Sequence, residues 1–198
     1  MHKIVVYDLN KTLYQKSSKD EFFKFVCYKN GYKLIRLAQL GWLKMLGNMR
    51  LVSKTDFKEN FYDYLKDLDP ETVKKYAEQF WNLEYPEFFR NKMLEDIQKF
   101  DEQGIKVFVI TGGFEVYTKY LEKILPVHVL GTRTTYKNGN YTIEGKACND
   151  EEKIRRLDEA LGEYELLEAF SDDDEEILHK GKKGFLVDEE SGELKQVN

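Results

Sequence analysis

The chain reads as an α/β protein built on a doubly wound parallel sheet, with an all-helical insert directly after its first strand. Three observations carry that reading. Short apolar runs such as Ile4-Val5-Val6-Tyr7 and Val107-Phe108-Val109-Ile110 have the make-up of strands buried on both faces. After Gly104 such runs alternate with helical stretches, as they do in parallel sheets. Between residues 14 and 86, by contrast, the period is helical throughout and no strand pattern occurs.

A chain of 198 residues can hold one substantial core, or a core with a smaller inserted module. The 41% hydrophobic and 14% aromatic shares suit a folded soluble protein, and 34% charged residues is high. A net charge of −5 argues against nucleic acid as a partner, which would need a basic footprint. Cys27 and Cys148 lie far apart with no metal-ligand or redox spacing, so two free thiols in a reducing cytoplasm are expected. Met1-His2-Lys3 leads straight into the first strand, so no signal peptide is expected, and no apolar run approaches the ~20 residues of a membrane span. No pattern specifies an oligomeric state.

Taken in order, the first strand ends at Asp8. Ser17-Ser18-Lys19-Asp20 offers caps for a helix carrying Phe22, Phe23, Phe25 and Val26, and Asn30-Gly31 ends it. Residues 32–52 put Leu34, Ile35, Ala38, Trp42, Met45, Leu46 and Met49 on one helical face and Lys33, Arg36, Lys44 and Asn48 on the other. That amphipathic, basic run fits a helix packed in a bundle, with a weak membrane-surface contact as the alternative. Ser53 and Thr55 open a third helix with Phe57, Phe61, Tyr64 and Leu65. Asp69-Pro70 supplies the cap and first-turn proline of a fourth, and Tyr85-Pro86-Glu87 opens a fifth that runs to about Gln103.

The strand at 105–110 delivers Thr111-Gly112-Gly113, and a helix at 114–125 leads to a third strand at 127–130. Residues 132–136 and 141–144 alternate around Asn138-Gly139, which predicts a hairpin. Asn149-Asp150-Glu151-Glu152 is close to a capping box and opens a helix through Leu161. A fourth strand at 166–170 delivers Ser171-Asp172-Asp173-Asp174. A short helix, a strand near 185–187 and a polar tail complete the chain.

Strand ends in a parallel sheet lie along one edge, so Asp8, Thr111 and Asp172 should converge there. Phosphoryl transfer through an aspartyl phosphate needs that set of groups. It takes a nucleophilic carboxylate, a divalent cation held by carboxylate oxygens, and donors that stabilise the transferring phosphoryl group. Each piece also has a plainer reading. Asp8 could cap a turn, Lys153 could sit on a solvated helix face, and the acids after Ser171 could simply open a helix.

Together and in this order, the pieces resemble the haloacid dehalogenase-like hydrolase superfamily, specifically its phosphoserine-phosphatase-like branch. Val5-Val6-Tyr7-Asp8-Leu9-Asn10-Lys11-Thr12-Leu13 is similar to the first motif, Val109-Ile110-Thr111-Gly112-Gly113-Phe114 to the second, the Asn149–Leu157 stretch to the third, and Ser171-Asp172-Asp173-Asp174 to the fourth. The resemblance implies a Rossmann-type core, residues 1–13 and 87–198, and a helical cap, residues 14–86. It implies Asp8, Asn10 and Lys153 as catalytic residues and Thr111, Gly112 and Lys153 as phosphate-binding ones. It further implies Asp8, Asn10 and Asp172 as the ligands of Mg2+. Lys146 is an alternative to Lys153, and either Asp174 or Glu176 is the further acid of the fourth motif.

One residue departs from the family. Asn10 stands where the first motif normally has a second aspartate, the general acid–base. A carboxamide keeps a backbone carbonyl for metal but has no titratable proton, and losing a general acid–base costs ~10²–10⁴-fold in rate. The expected function is therefore a Mg-dependent phosphatase, slowed by Asn10, acting on a small phosphorylated metabolite or lipid headgroup. Residues 55–66 carry no arginine to hold a serine carboxylate, which weighs against phosphoserine. The alternative is a catalytically impaired phosphate- or metal-binding protein with a regulatory role.

Overall fold

The computed structural model describes residues 2–31 and 62–198. Among them, six strands form one sheet in the order β3-β2-β1-β6-β7-β8. Strand β1 (His2–Tyr7) is central and pairs in parallel with β2 (Lys106–Phe114) and β6 (Tyr164–Ser171). Outside these run β3 (His128–Thr132), parallel to β2, and β7 (Lys183–Val187), parallel to β6. A separate antiparallel hairpin joins β4 (Thr134–Lys137) to β5 (Asn140–Ile143). Its turn, Asn138-Gly139, has positive φ at both residues (51° and 78°), as the asparagine–glycine pair predicts.

The alternation of β1 explains why it is central. Ile4 and Val6 face one side with Phe108, Ile110 and Ala169, while Val5 and Tyr7 face the other with Val109 and Phe170. All four side chains of that run are essentially without exposure. Burying each of the three aliphatic ones contributes about 1.5–3 kcal/mol, which ties the strand to both layers. The first face is covered by α5 (Glu151–Leu161) and α6 (Glu176–Lys180). The second is covered by α1 (Ser18–Lys29), α2 (Pro70–Glu84), α3 (Asn91–Glu102) and α4 (Glu115–Thr118). Helices on both faces make the sheet doubly wound. Cys27 belongs to the second layer and Cys148 to the first, so the sheet separates the two thiols.

Helix α2 starts as expected: Asp69 accepts from the Thr72 N–H at 3.0 Å and Pro70 occupies the first turn. The indole Nε1–H of Trp81 on α2 donates to the Tyr117 carbonyl at 2.7 Å, tying the insert to the segment after β2. The insert's Tyr14, Phe22, Phe80 and Trp81 share one apolar cluster with Val5, Tyr7 and Val109.

Several expected boundaries move. The helix predicted from Tyr85 begins at Asn91, because the preceding backbone bonds elsewhere: Gln15 N–H donates to the Phe88 carbonyl (2.9 Å) and Arg90 N–H to that of Leu13 (3.1 Å). The helix predicted at 114–125 divides into α4 and a 3-10 segment, Lys119–Lys123. Thr111, Gly112 and Gly113 lie within β2 rather than after it, with a register shift against β3. The near-capping box at Asn149 does not form: the helix is preceded by Asp150 at φ 48° with no side-chain cap. Tyr64 and Leu65 fall in a 3-10 turn, Tyr62–Leu65. The polar tail contributes β8 (Leu194–Gln196), antiparallel to β7. The readings made for residues 32–61 lie outside the described residues. Among the described ones, no helix is long and apolar enough to cross a membrane.

Candidate active site

Asp8 follows β1 directly, and its N–H continues the ladder by donating to the Phe170 carbonyl at 2.8 Å. Its side chain therefore emerges at the carboxyl edge of the sheet. The chain then curls back, with Tyr14 N–H on the Leu9 carbonyl (2.8 Å) and Lys11 in the left-handed region at φ 60°. Arg90 holds that loop from outside: its Nε donates to the Thr12 carbonyl (2.9 Å) and Nη2 to those of Lys11 (3.1 Å) and Glu189 (2.7 Å).

Lys153, in the first turn of α5, reaches Asp8 with its ammonium. Nζ donates to Asp8 Oδ1 at 2.6 Å, and to Glu175 Oε1 and Oε2 at 2.8 and 2.6 Å. Asp8 and Lys153 are both buried. Burial pushes the Asp8 carboxyl up to about 6 even though the Lys153 ammonium pulls it down, while Glu175 and Asp172 add to the rise. Burial would lower Lys153, but Asp8 and Glu175 hold it above the usual lysine range. The lysine is thus a fixed positive charge against a carboxylate that ionises reluctantly.

Thr111 is fully buried on β2, and its Oγ1 accepts from the Gly113 N–H and from Asn10 Nδ2, both at 3.1 Å. Asn10 Oδ1 accepts from the N–H of Ser18, the first residue of α1, at 2.7 Å. Both glycines after Thr111 sit close against neighbouring side chains, which would have to shift for a larger residue. A Cβ on Gly112 would lie 2.3 Å from Asn149 Oδ1, and one on Gly113 would lie 2.7 Å from the Tyr117 hydroxyl.

Asp172 lies just past the end of β6, where Thr12 Oγ1 donates to its Oδ1 at 3.1 Å. Its carboxyl is held above the usual range, chiefly by burial and against the pull of the Thr12 hydrogen bond, with Asp173 and Glu189 adding repulsion. Two carboxylates raised by burial, one of them also by the other, form a site that a divalent cation would relieve. Among the described residues, no group of three or more His, Cys, Asp or Glu side chains makes a ready metal cage. The donors present are oxygens only, few in number. That suits magnesium, which keeps water and phosphate among its ligands.

The structure thus brings Asp8, Asn10, Thr111, Lys153 and Asp172 to one edge, with Gly112 beside Thr111. Lys146 is exposed and makes no contact with Asp8. Asp174 is exposed and pairs with His179 at 2.8 Å, and Glu176 is exposed at the start of α6. The acid that faces Lys153 is Glu175, which also accepts from Ser171 Oγ at 3.1 Å. Sequence reasoning missed it. Its signal is slight: an acid before a short helix, in extended conformation (φ −98°, ψ 153°), whose carboxylate does not cap its own helix. Arg90 carried no signal, because its partners are backbone carbonyls from distant segments.

The chain is similar to known proteins in sequence and in fold. The family model for haloacid dehalogenase-like hydrolases matches residues 5–173. No curated protein matches the chain. Among solved structures, a protein of unknown function from Bordetella pertussis Tohama I aligns with a TM-score of 0.72 at 17% identity, covering 88% of this chain and 85% of that one. A phosphoserine phosphohydrolase-like protein from Francisella tularensis subsp. tularensis SCHU S4 gives 0.60 at 19% identity, with 90% and 83% covered. A phosphoserine phosphatase solved as a phospho-aspartyl intermediate analogue gives 0.55 at 17%, with 91% and 83% covered. At these identities the structures establish a shared fold, and the sequence match over the motifs establishes kinship: the chain belongs to the haloacid dehalogenase-like hydrolase family.

Proposed function

We propose that the protein is a phosphomonoesterase working through an aspartyl phosphate on Asp8, slowed by Asn10. The observation that carries this is the buried Asp8 carboxylate 2.6 Å from Lys153, at the sheet edge that also holds Thr111 and Asp172. In this reading Asp8 attacks phosphorus, forming one P–O bond as the bond to the leaving oxygen breaks. Water then attacks the aspartyl phosphate, releasing inorganic phosphate and restoring Asp8. Lys153 offsets the charge brought together when carboxylate and phosphate meet. Thr111 and the Gly112 N–H donate to the phosphoryl oxygens. Mg2+, held by the Asp8 and Asp172 carboxylates and the Asn10 backbone carbonyl, would withdraw charge from the phosphoryl group. Residues 14–86 act as the cap over this site, and residues 1–13 and 87–198 as the catalytic core.

Asn10 shapes the substrate range. Without a proton to give, the site favours leaving groups that depart as stable anions, such as aryl or acyl phosphates, among small metabolites or lipid headgroups. The lipid option draws on the basic amphipathic run at 32–52, and co-sedimentation with anionic liposomes tests it. The sheet keeps the two thiols apart, which suits a reducing compartment such as the cytoplasm.

The test is aryl phosphate hydrolysis, with and without Mg2+, by the protein and its Asp8→Asn and Asn10→Asp variants. Magnesium-dependent turnover that disappears in Asp8→Asn and rises in Asn10→Asp is the expected result. No turnover in any of the three, with phosphate still bound, would refute the enzyme reading. It would favour a regulatory phosphate-binding protein.

A further inference from the structure

We propose that Asn10 is a positioning residue that reserves the Thr111 hydroxyl proton for a phosphoryl oxygen. The site would then hold phosphate more tightly than it would with an acid at position 10. The inference rests on the phosphate-site reading above and concerns how that site is tuned.

The argument is one of donors and acceptors. The backbone N–H of Ser18 can only donate, so the Asn10 atom 2.7 Å from it is the carbonyl oxygen Oδ1. The planar amide then turns Nδ2 toward Thr111 Oγ1, 3.1 Å away. An amide nitrogen cannot accept, so Thr111 must. The Gly113 N–H donates to the same oxygen, also at 3.1 Å. With two N–H groups on its two lone pairs, Thr111 has one direction left, its own O–H. Among the described residues, none accepts that proton, although Thr111 is fully buried. A buried hydroxyl left in this state costs free energy until an acceptor arrives, and a phosphoryl oxygen is the acceptor this edge is arranged to receive.

A carboxylate at position 10 would reverse the pattern. It can only accept, so it would take the Ser18 N–H and the Thr111 O–H together, and the proton would no longer be available to the ligand. The orientation is enforced from the insert. Ser18 is itself buried, and its Oγ lies 3.2 Å from the Tyr117 hydroxyl, so the first turn of α1 is fixed before the amide is placed. Replacing the family's acid by Asn10 thus exchanges proton transfer for anion capture.

The experiment is titration calorimetry of inorganic phosphate into the full chain, with Mg2+ in the buffer. It uses the protein, Thr111→Val, Asn10→Asp and the double variant. A hydrogen bond to a charged acceptor predicts that Thr111→Val weakens phosphate binding by about 10- to 100-fold in the native background. In the Asn10→Asp background the same change should cost less than about threefold, and this difference removes the plain charge repulsion of the new acid. Thr111→Ser should retain native affinity, and Asn10→Asp should raise kcat for an aryl phosphate while weakening phosphate. Should Thr111→Val not fold, Thr111→Ala carries the same comparison. An equal cost of losing the hydroxyl in both backgrounds, or no cost in either, overturns the proposal. Coupled phosphate binding without turnover would refute the phosphatase reading and uphold this one. Turnover without the coupling, or without phosphate binding, does the reverse, and a protein that neither binds phosphate nor turns over refutes both.

Discussion

Asp8→Asn should make the metal-free protein more stable at neutral pH, although it removes the proposed nucleophile. Burial holds the Asp8 carboxyl near 6, against an ordinary value of 3.8, despite the ammonium beside it. Such a rise means that the fold prefers the protonated form. The stability it supports is fully present below pH 3.8 and is lost as the pH climbs through 6. A shift of that size corresponds to on the order of 3 kcal/mol between the ends of the window. An asparagine keeps the shape and cannot ionise, so it avoids the loss. Urea unfolding of both proteins in chelator should therefore show a difference that grows in favour of Asp8→Asn between pH 4 and pH 7. Adding Mg2+ should narrow it by stabilising the native protein selectively. Curves that stay parallel from pH 4 to pH 8, or an Asp8→Asn variant less stable at pH 8, would refute the electrostatic account of the site.

Three further outcomes follow from named contacts. Lys153→Met leaves Asp8 and Glu175 buried without their shared cation, and should cost about 3–5 kcal/mol in urea unfolding at pH 7.5. It should also lower aryl phosphate turnover by ~10²–10³-fold, the usual effect of losing a donor that stabilises transition-state charge. Glu175→Gln removes a negative charge that raises Asp8, so the Asp8 titration midpoint should move down, measured by NMR of the side-chain carboxyl in the metal-free protein. Trp81→Phe reduces the bicyclic indole to a single ring and removes the N–H that donates to the Tyr117 carbonyl, and should cost about 1–3 kcal/mol by denaturant unfolding.

Much of this protein was legible in short-range pattern. Ile4, Val5, Val6 and Tyr7 declare a strand buried on both faces, and any such strand in a parallel sheet must present its next residue, Asp8, at the carboxyl edge. The same logic placed Asp172 just past β6, whereas Thr111 lies inside β2, short of its end. Asp69-Pro70 and Asn138-Gly139 act through backbone geometry within a few residues, so the α2 start and the hairpin turn could be read directly.

Other features depended on segments distant in sequence. Lys146 and Lys153 look alike in the chain, and only the packing of α5 against the sheet decides which ammonium meets Asp8. Among three consecutive acids, the turn after β6 aims Glu175 inward and leaves Asp174 and Glu176 in solvent. Strand β8 is polar and takes its identity from the β7 edge it pairs with. The residue type at position 10 was visible from the start as a lost proton. What its amide does instead is set by the Ser18 N–H and the Thr111 hydroxyl, one on the insert and the other about a hundred residues away on a neighbouring strand. Sequence determines which chemical groups exist and where strands deliver them. Tertiary structure decides which donor meets which acceptor, because hydrogen bonds and ion pairs act over a few ångströms in space.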